Sequence, residues 1–371
     1  MSENCDKPSG SQNLNRPLEG MAVREIAGIL QVQEGTLWKL ARKPELMYHP
    51  TRKDPKPGGG VRLIDPPLKE YKPLLRKLTR VLANRIAPHP CAHGGIARRS
   101  SFTSAARHCG GRVIATRDVR NCYPSVGRQA VRRELIALGA SDELAQFLSG
   151  IMTVHDRLPQ GGPLSSLALN LFLMRSDEEL RRKTRSRGGQ YTRLADDFVA
   201  SADSRQKAEV AGAEFDRVIQ SQGLKVNSRK RKRRGLLLAH QRHEIHSLII
   251  NSRRGTRPKD QHIQLILALA QRYARRSHSA TVNDLVPLAE LRRRVAGHMY
   301  YQRQATFSPA RHVARILKLS DSRILAMVKA NGLYPHKNKW WLKSNSLDEA
   351  ARLTFLFGLR RSLATLPQTT V

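Results

Sequence analysis

The chain has 371 residues, and its 66 Lys and Arg against 30 Asp and Glu give a formal net charge of +36. This length suits two or three domains, and the charge favours a polyanionic partner because a compact basic protein otherwise repels itself. No run of about 18 apolar residues is present to span a membrane, and the polar first twenty residues lack the apolar segment of a signal peptide. We therefore expect a cytoplasmic protein without membrane contact that binds RNA or DNA.

Four scattered cysteines form no CxxC pair, which argues against a zinc site and against a disulfide framework.

The N-terminal part is predicted to be helical. Residues 1–20 are expected to be disordered, and apolar spacing over 23–40 predicts two short helices. We interpret these helices as a packed cap rather than a DNA-binding helix-turn-helix, since no dimerisation helix accompanies them. A strand at 61–65 follows, and then a helix over 68–86 that ends at the prolines beyond it.

The middle of the chain mixes strands and helices. A strand at 112–119 places Ile114, Thr116 and Asp118 on one face. This order favours a mixed α+β fold whose antiparallel sheet carries helices on one face. The further predicted elements are helices at 128–138 and 142–153, a loop at 156–164, a long helix to about 187, a hairpin at 191–201, a helix at 204–222, a basic turn, strands near 236–239 and 244–251, and basic helices from about 260.

Three carboxylates are the main candidates for chemistry. Asp196 and Asp197 lie where the hairpin should turn, and Asp118 ends a neighbouring strand. An Asp-Asp pair is common in turns, but three such groups suit two divalent ions about 4 Å apart, which activate a 3′-hydroxyl and steady a triphosphate. Magnesium prefers oxygen ligands. We predict that Asp118 and Asp196 bridge two Mg²⁺ ions, with Asp197 in support and Mn²⁺ as a substitute metal.

The surrounding motifs resemble the palm of reverse transcriptases. The run from Asp118 to Val126 is similar to motif A, and Tyr123 stands where that family has the aromatic ring that blocks a 2′-hydroxyl. Tyr123 as a core aromatic remains the alternative. The run from Leu158 to Ser166 resembles motif B, LPQG-x-P-x-S. The resemblance implies that Gln160 lies near the nucleotide sugar and that Gly161 lets the backbone approach the nucleotide.

Two further segments extend the resemblance. Residues 58–64 resemble the fingers strand, in which Arg62 would grip the triphosphate with its planar guanidinium. A solvent-facing arginine is the alternative. Residues 223–230 resemble the motif GL-x-x-N-x-x-K, in which Lys230 would lie near the phosphates. The basic run at 229–234 also suits a solvated face or a nucleic-acid contact.

The C-terminal part offers a candidate nucleic-acid surface. Residues 284–305 look like the family's thumb helix, and Arg292, Arg293 and Arg294 would face the minor groove of a template–primer duplex. Trp340 and Trp341 alternate with lysines. They would stack on unpaired bases or pack in a small C-terminal core.

The motif order is similar to that of bacterial retron-type reverse transcriptases, with local departures. Gly95 replaces an aromatic in the segment HGF…RS, and Leu194 replaces the aromatic before Ala-Asp-Asp. Ser104 stands in place of the asparagine of Asn-Ala-x-x-His, and Ile245-His246-Ser247 stands where retron enzymes carry Val-Thr-Gly.

The resemblance implies a right-hand polymerase of fingers, palm and thumb. Its expected partners are an RNA template and primer, the RNA–DNA duplex, deoxynucleoside triphosphates, a cognate non-coding RNA and an effector protein, with a role in phage defence. Two alternatives stay open: an abortive-infection type polymerase that makes untemplated DNA, and an RNA-binding scaffold with an inactive site. The expected regions are a tail at 1–20, N-terminal helices and fingers at 21–111, palm at 112–255, thumb at 256–319 and a basic helical extension at 320–371.

Overall fold

The structure is a computed structural model that describes residues 17–56, 60–252, 255–279 and isolated stretches between 288 and 341. The chain divides into two compact units, Met1–His246 and Ser247–Val371. The expected tail up to residue 16, Gly58, Gly59 and Arg293 lie outside the described residues.

The first unit contains helices throughout and two groups of strands. Its helices are α1 (Val23–Leu30), α2 (Glu34–Arg42), α3 (Lys72–Arg85), α4 (Ser101–Ala106), α5 (Cys122–Ser125), α6 (Arg128–Ala137), α7 (Asp142–Met152), α8 (Ser165–Phe172), α9 (Met174–Arg185), α10 (Arg205–Ser221) and α11 (Ser228–Arg234), with a 3₁₀ turn at Pro44–Met47. Its strands are β1 (Arg52–Pro55), β2 (Val61–Ile64), β3 (Val113–Asp118), β4 (Gln190–Leu194), β5 (Asp197–Ala202), β6 (Leu236–Leu237) and β7 (Glu244–Ile245).

A four-stranded antiparallel sheet forms the centre of this unit, with strand order β4-β5-β3-β6. The apolar residues that begin β3 are buried, as expected for a central strand. Helices α9 and α10 pack on one face of the sheet. There the rings of Tyr191, Phe198 and Phe215 lie 5.6–6.4 Å apart, at distances typical of stabilising aromatic pairs. The predicted α+β class with an antiparallel sheet and helices on one face is confirmed.

Helices α2, α6 and α7 pack together in a second layer. Trp38 and Phe147 meet edge to face there at 5.4 Å. The hairpin of β1 and β2 pairs Asp54 with Arg62.

The strand predicted at 112–119 is present as β3. Strand β1 and helix α4 were not predicted.

Two helical regions of the first unit differ from the sequence expectation. The long helix expected up to residue 187 is two helices, α8 and α9, with Leu173 between them at φ −92° and ψ −1°. The run expected as a basic turn forms the helix α11, which accords with the good helix propensity of Lys and Arg.

The second unit has the strands β8 (Leu248–Ser252) and β9 (Gly255–Pro258), which pair antiparallel, and the helix α12 (Asp260–His278). Strands β10 (Tyr334–His336) and β11 (Lys339–Trp341) form a further antiparallel pair, in a region that was expected to be helical. Within the described ranges, no helix combines the length and apolar character needed to cross a bilayer.

Candidate active site

The three predicted carboxylates lie at one end of the central sheet. Asp118 is the last residue of β3 and stands directly opposite Asp197, the first residue of β5. Cβ atoms of directly opposed residues are about 4.5–5.5 Å apart and point to the same face. Asp196 lies in the turn between β4 and β5, and its carbonyl accepts the Val119 N–H at 3.2 Å. The sheet therefore brings Asp118 beside Asp196 and Asp197, which lie almost eighty positions further along the sequence.

Asp118 is held by a segment that follows α10. The residue is 7% exposed, and the amide Nδ2 of Asn227 donates to Asp118 Oδ1 at 2.7 Å. The Asn227 backbone N–H also donates to the Asp118 carbonyl at 2.8 Å, and Arg120 donates to the Lys225 carbonyl at 2.7 Å. These bonds fix one oxygen of the carboxylate and the backbone on either side of it.

A buried arginine holds the turn that carries Asp196. Arg193 Nη1 donates to the carbonyl of Ala195 at 2.8 Å, and Ala195 adopts a left-handed φ of +54°, which costs free energy for a non-glycine residue. Two further guanidinium nitrogens donate to Asp177 of α9 at 2.8 and 2.6 Å. Burial alone would lower the pKa of Arg193, but the charge of Asp177 outweighs it and raises that pKa. The guanidinium therefore stays charged and keeps its donors aimed at the turn.

The segment before α4 packs against the same turn. Gly94 accepts a hydrogen bond from Asn170 Nδ2 at 2.9 Å, and Asn170 Oδ1 accepts one from Arg193 at 3.1 Å. A Cβ on Gly94 would lie 2.4 Å from the Ala195 nitrogen. A glycine is required there because any side chain would displace the turn.

The loop that resembles motif B is tied to the end of β2. The backbone N–H of Asp65 donates to the Gln160 carbonyl at 2.9 Å, and Asp65 Oδ2 accepts the Gln160 N–H at 3.2 Å. The two terminal nitrogens of Arg157 donate hydrogen bonds to the two Asp65 carboxylate oxygens, at 2.7 and 3.0 Å. Burial raises the pKa of Asp65, but the bonds from Arg157 and Thr51 outweigh it and leave the pKa lowered. Gly161 takes a φ of +116°, which favours glycine.

Tyr123 and Arg62 occupy different environments. Tyr123 lies in α5 and is half-buried against the core, and burial raises the pKa of its phenol. Its hydroxyl lies 3.4 Å from Ser166 Oγ at the start of α8. Arg62 is exposed on β2. Tyr123 as a sugar-blocking ring and Arg62 as a triphosphate contact therefore stay predictions.

The other predicted contact residues are only partly described. Lys230 lies in α11 and Trp340 and Trp341 lie in β11, but their side chains are outside the described residues. Of the arginines predicted to face a duplex, Arg292 is buried and Arg294 is exposed. The burial of Arg292 argues against its predicted contact, whereas Arg294 is accessible to a nucleic acid.

The donor set suits a hard cation. Among the residues that the structure describes, no cluster of three or more His, Cys, Asp and Glu side chains is arranged to hold a metal ion. Mg²⁺ does not need such a cage, because it keeps several waters and uses one or two carboxylates together with substrate phosphates. The chemistry of Asp118, Asp196 and Asp197 fits that requirement.

Several residues that support the site were not predicted. Asn227 and Asp65 act through partners 109 and 92 positions away, whereas the buried Arg193 joins residues 16 and 2 positions away. One local signal existed for Arg193: it follows the buried Tyr191 by two positions in β4, so strand alternation places both on the helix-covered face.

Comparison with known proteins agrees with this geometry. Residues 55–251, more than half of the chain, match the family described as reverse transcriptase (RNA-dependent DNA polymerase). The retron Mx65 reverse transcriptase of Myxococcus xanthus is 35% identical over 234 residues, 57% of this chain and 55% of that protein. The retron Ec86 reverse transcriptase of Escherichia coli is 31% identical over 170 residues, 46% of this chain and 53% of that protein. The chain thus spans about half the length of these curated relatives.

Among solved structures, apo telomerase from Candida tropicalis aligns with a TM-score of 0.48 and 11% identity, over 84% of this chain and 62% of that chain. Telomerase from Candida albicans aligns with a TM-score of 0.42 and 12% identity, over 81% and 65%. By the family match over residues 55–251, the chain belongs to the reverse transcriptase (RNA-dependent DNA polymerase) family.

Proposed function

We propose that this chain is an RNA-directed DNA polymerase that copies a non-coding RNA template into DNA. The observation that carries the proposal is the register of β3 and β5, which sets Asp118 opposite Asp197 beside the turn at Asp196. The membership of residues 55–251 in the reverse transcriptase family supports the same reaction.

The chain's own residues take the following roles in the proposal. Asp118, Asp196 and Asp197 hold divalent cations, which supply charge neutralisation at the 3′-hydroxyl and the triphosphate when bound. The loop of Gln160 and Gly161 receives the nucleotide against a backbone that Asp65 holds in place.

Three further residues contact the incoming nucleotide in the proposal. Tyr123 excludes a 2′-hydroxyl, whereas Arg62 and Lys230 bind phosphates through their positive charge.

The net charge of +36 supports a nucleic-acid partner. We propose a cognate RNA as template and primer, because two of the relatives are named retron reverse transcriptases. Arg293, Arg294, Trp340 and Trp341 are the proposed contacts to the RNA–DNA duplex, and the buried Arg292 is no longer among them. From the resemblance to retron enzymes, we further propose that the protein acts in phage defence together with an effector protein.

Primer extension on an RNA template tests the proposal. The purified chain is supplied with an annealed DNA primer, the four deoxynucleoside triphosphates and Mg²⁺, and its products are sequenced. Asp118→Asn and Asp196→Asn should abolish synthesis and leave RNA binding in place. Asp203→Asn is a matched control, because Asp203 is an exposed aspartate that pairs with Lys207 beyond the far end of β5.

The products separate the possible functions. DNA complementary to the template supports the proposal. DNA of unrelated or homopolymeric sequence would replace it with untemplated synthesis. RNA binding without any DNA product, in Mg²⁺ and in Mn²⁺, would point to a scaffold.

A further inference from the structure

Two residues at which the chain departs from the retron motifs touch each other. Ser104 Oγ lies 3.1 Å from His246 Nε2. Ser104 is fully buried and the His246 side chain is 2% exposed. The two residues are 142 positions apart in the sequence, so their contact is a product of the fold.

The contact belongs to a longer chain of polar groups that ends at a catalytic carboxylate. His108 bonds Ser201 Oγ at 3.0 Å and Thr192 Oγ1 at 2.7 Å. Thr192 Oγ1 bonds Ser104 Oγ at 2.8 Å. At the other end, His246 Nδ1 lies 3.8 Å from Asp197 Oδ2. That distance is an electrostatic contact rather than a hydrogen bond.

Strand alternation places these hydrogen-bonded side chains on the same face of the sheet as the carboxylates. Asp197 and Ser201 are four residues apart in β5 and therefore share a face. Asp118 shares that face because it is paired directly with Asp197. The opposite face is covered by α9 and α10.

The hydrogen bonds of this polar network can all be ordered in one direction, from donor to acceptor. An ionised Asp197 only accepts, so its charge favours the tautomer with the hydrogen on His246 Nδ1, the nitrogen that faces it. With one hydrogen on each imidazole ring, Ser104 must donate to His246 Nε2 and Thr192 to Ser104. His108 then donates to Thr192 and accepts from Ser201. Ser104, Thr192 and His108 then each donate once and accept once, which is the arrangement that a buried polar network requires.

The backbone fixes the direction in which the His246 side chain leaves the chain. His246 and Ser247 take left-handed φ values of +50° and +67°, the pair that a two-residue type I′ turn requires. This turn and the bond to Ser104 together hold the imidazole beside Asp197, whose side chain is 40% exposed.

We propose that His246 is a positioning residue for Asp197: Ser104 sets the orientation of the imidazole, and the imidazole directs its Nδ1–H at the Asp197 carboxylate. This inference rests on the proposed function, because it assigns a partner to a carboxylate of that same site.

A pair of amide substitutions separates the two nitrogens of the ring. His246→Asn places an amide N–H near the position of Nδ1, facing Asp197. His246→Gln places one near Nε2, facing Ser104. His246→Ala removes both. Ser104→Ala tests the orienting bond, and Ser149→Ala is its control, since Ser149 is a buried serine that bonds a carbonyl within α7.

Binding of Mn²⁺ to the protein alone, followed by electron paramagnetic resonance, is the primary readout. The double variant D118N/D196N gives the background. We expect His246→Gln and His246→Ala to weaken binding by about tenfold, the scale of losses when a partner of a metal ligand is removed. His246→Asn should stay within about twofold of wild type. In primer extension, the same order should hold for the Mg²⁺ concentration at half-maximal rate.

The opposite pattern would overturn the inference. If Asn and Gln at position 246 weaken binding equally, in step with a fall in the thermal midpoint, His246 has only a structural role. Unchanged Mn²⁺ binding in all three His246 variants would also overturn it. Primer extension by the wild type is measured first, so that a failure of the proposed function is recognised separately.

Discussion

Arg193 and Asp177 form an ion pair that is completely shielded from solvent, with Nε and Nη2 of the arginine each donating to one carboxylate oxygen. The third guanidinium nitrogen reaches the carbonyl of Ala195, one residue before Asp196. The pair therefore links helix α9 to the turn that carries Asp196, one of the proposed metal ligands. Planar, two-pronged donation of this kind is specific to arginine.

Arg193→Lys should separate charge from geometry. Lysine keeps the positive charge beside Asp177 but cannot also reach Ala195, so the turn loses its donor. We expect primer extension to fall by about 100-fold, the effect of displacing a catalytic group by about 1 Å. Arg182→Lys, on the exposed side of α9, is the control. Wild-type activity in Arg193→Lys would show that the turn holds its shape without this bond.

Asp65→Asn should loosen the loop of Gln160 and Gly161. The substitution leaves Arg157 without its anionic partner in a largely buried site, which costs about 3 kcal/mol of unfolding free energy. Because the loop is proposed to receive the nucleotide, we expect the KM for deoxynucleoside triphosphates to rise more than kcat falls. Steady-state kinetics and denaturant unfolding measure both effects.

Asp156→Asn is the control for Asp65→Asn, because Asp156 belongs to the same loop and is 76% exposed. Its unfolding free energy should change by less than about 1 kcal/mol. An unchanged KM in Asp65→Asn, together with the expected loss of stability, would mean that the loop does not contact the nucleotide.

Tyr123→Ala distinguishes the two roles that stay open for this ring. If the ring blocks a 2′-hydroxyl, the preference for deoxynucleotides should fall by roughly 10- to 100-fold, the range for one group in a pocket. If Tyr123 is only a core aromatic, stability should fall by about 3–5 kcal/mol while the sugar preference is unchanged. Tyr123→Phe removes only the weak 3.4 Å contact to Ser166 and should keep the preference. The ratio of kcat/KM for the two sugars is the measurement.

The sequence drew attention to the candidate carboxylates because their signals are local. Asp196 and Asp197 indicate a turn, and the run from Leu158 to Gly162 combines turn residues in a recognisable order. The supports of these residues carry no such signal. Asp65 meets Arg157 across 92 positions, and nothing in the neighbourhood of either residue specifies the other. Charged side chains are by default expected at the surface.

The helix boundaries show the same limit on a smaller scale. Apolar periodicity continues through Leu173, so the separation of α8 and α9 there could not be read from spacing alone. Their packing decides it: α8 contacts α6, whereas α9 contacts β4 and α10. Tertiary context therefore overrides the local pattern.

Stability should depend on pH through His108. Its ring is fully buried, and burial first, then the nearby His246 and His93, lowers its pKa to about 3. Unfolding exposes the ring, which then takes an ordinary pKa of about 6.5. The unfolded state therefore binds more protons below that value, and stability is lost as the pH falls from 6.5 towards 3. For one such histidine the loss between pH 7 and pH 5 is about 2 kcal/mol.

Denaturant unfolding at pH 7 and at pH 5 measures this loss. His108→Gln should show a pH dependence smaller by this amount, whereas His240→Gln, at an exposed position, should behave as wild type. An equal pH dependence in His108→Gln would show that other groups cause the acid loss, His93 foremost, since burial lowers its pKa to about 4.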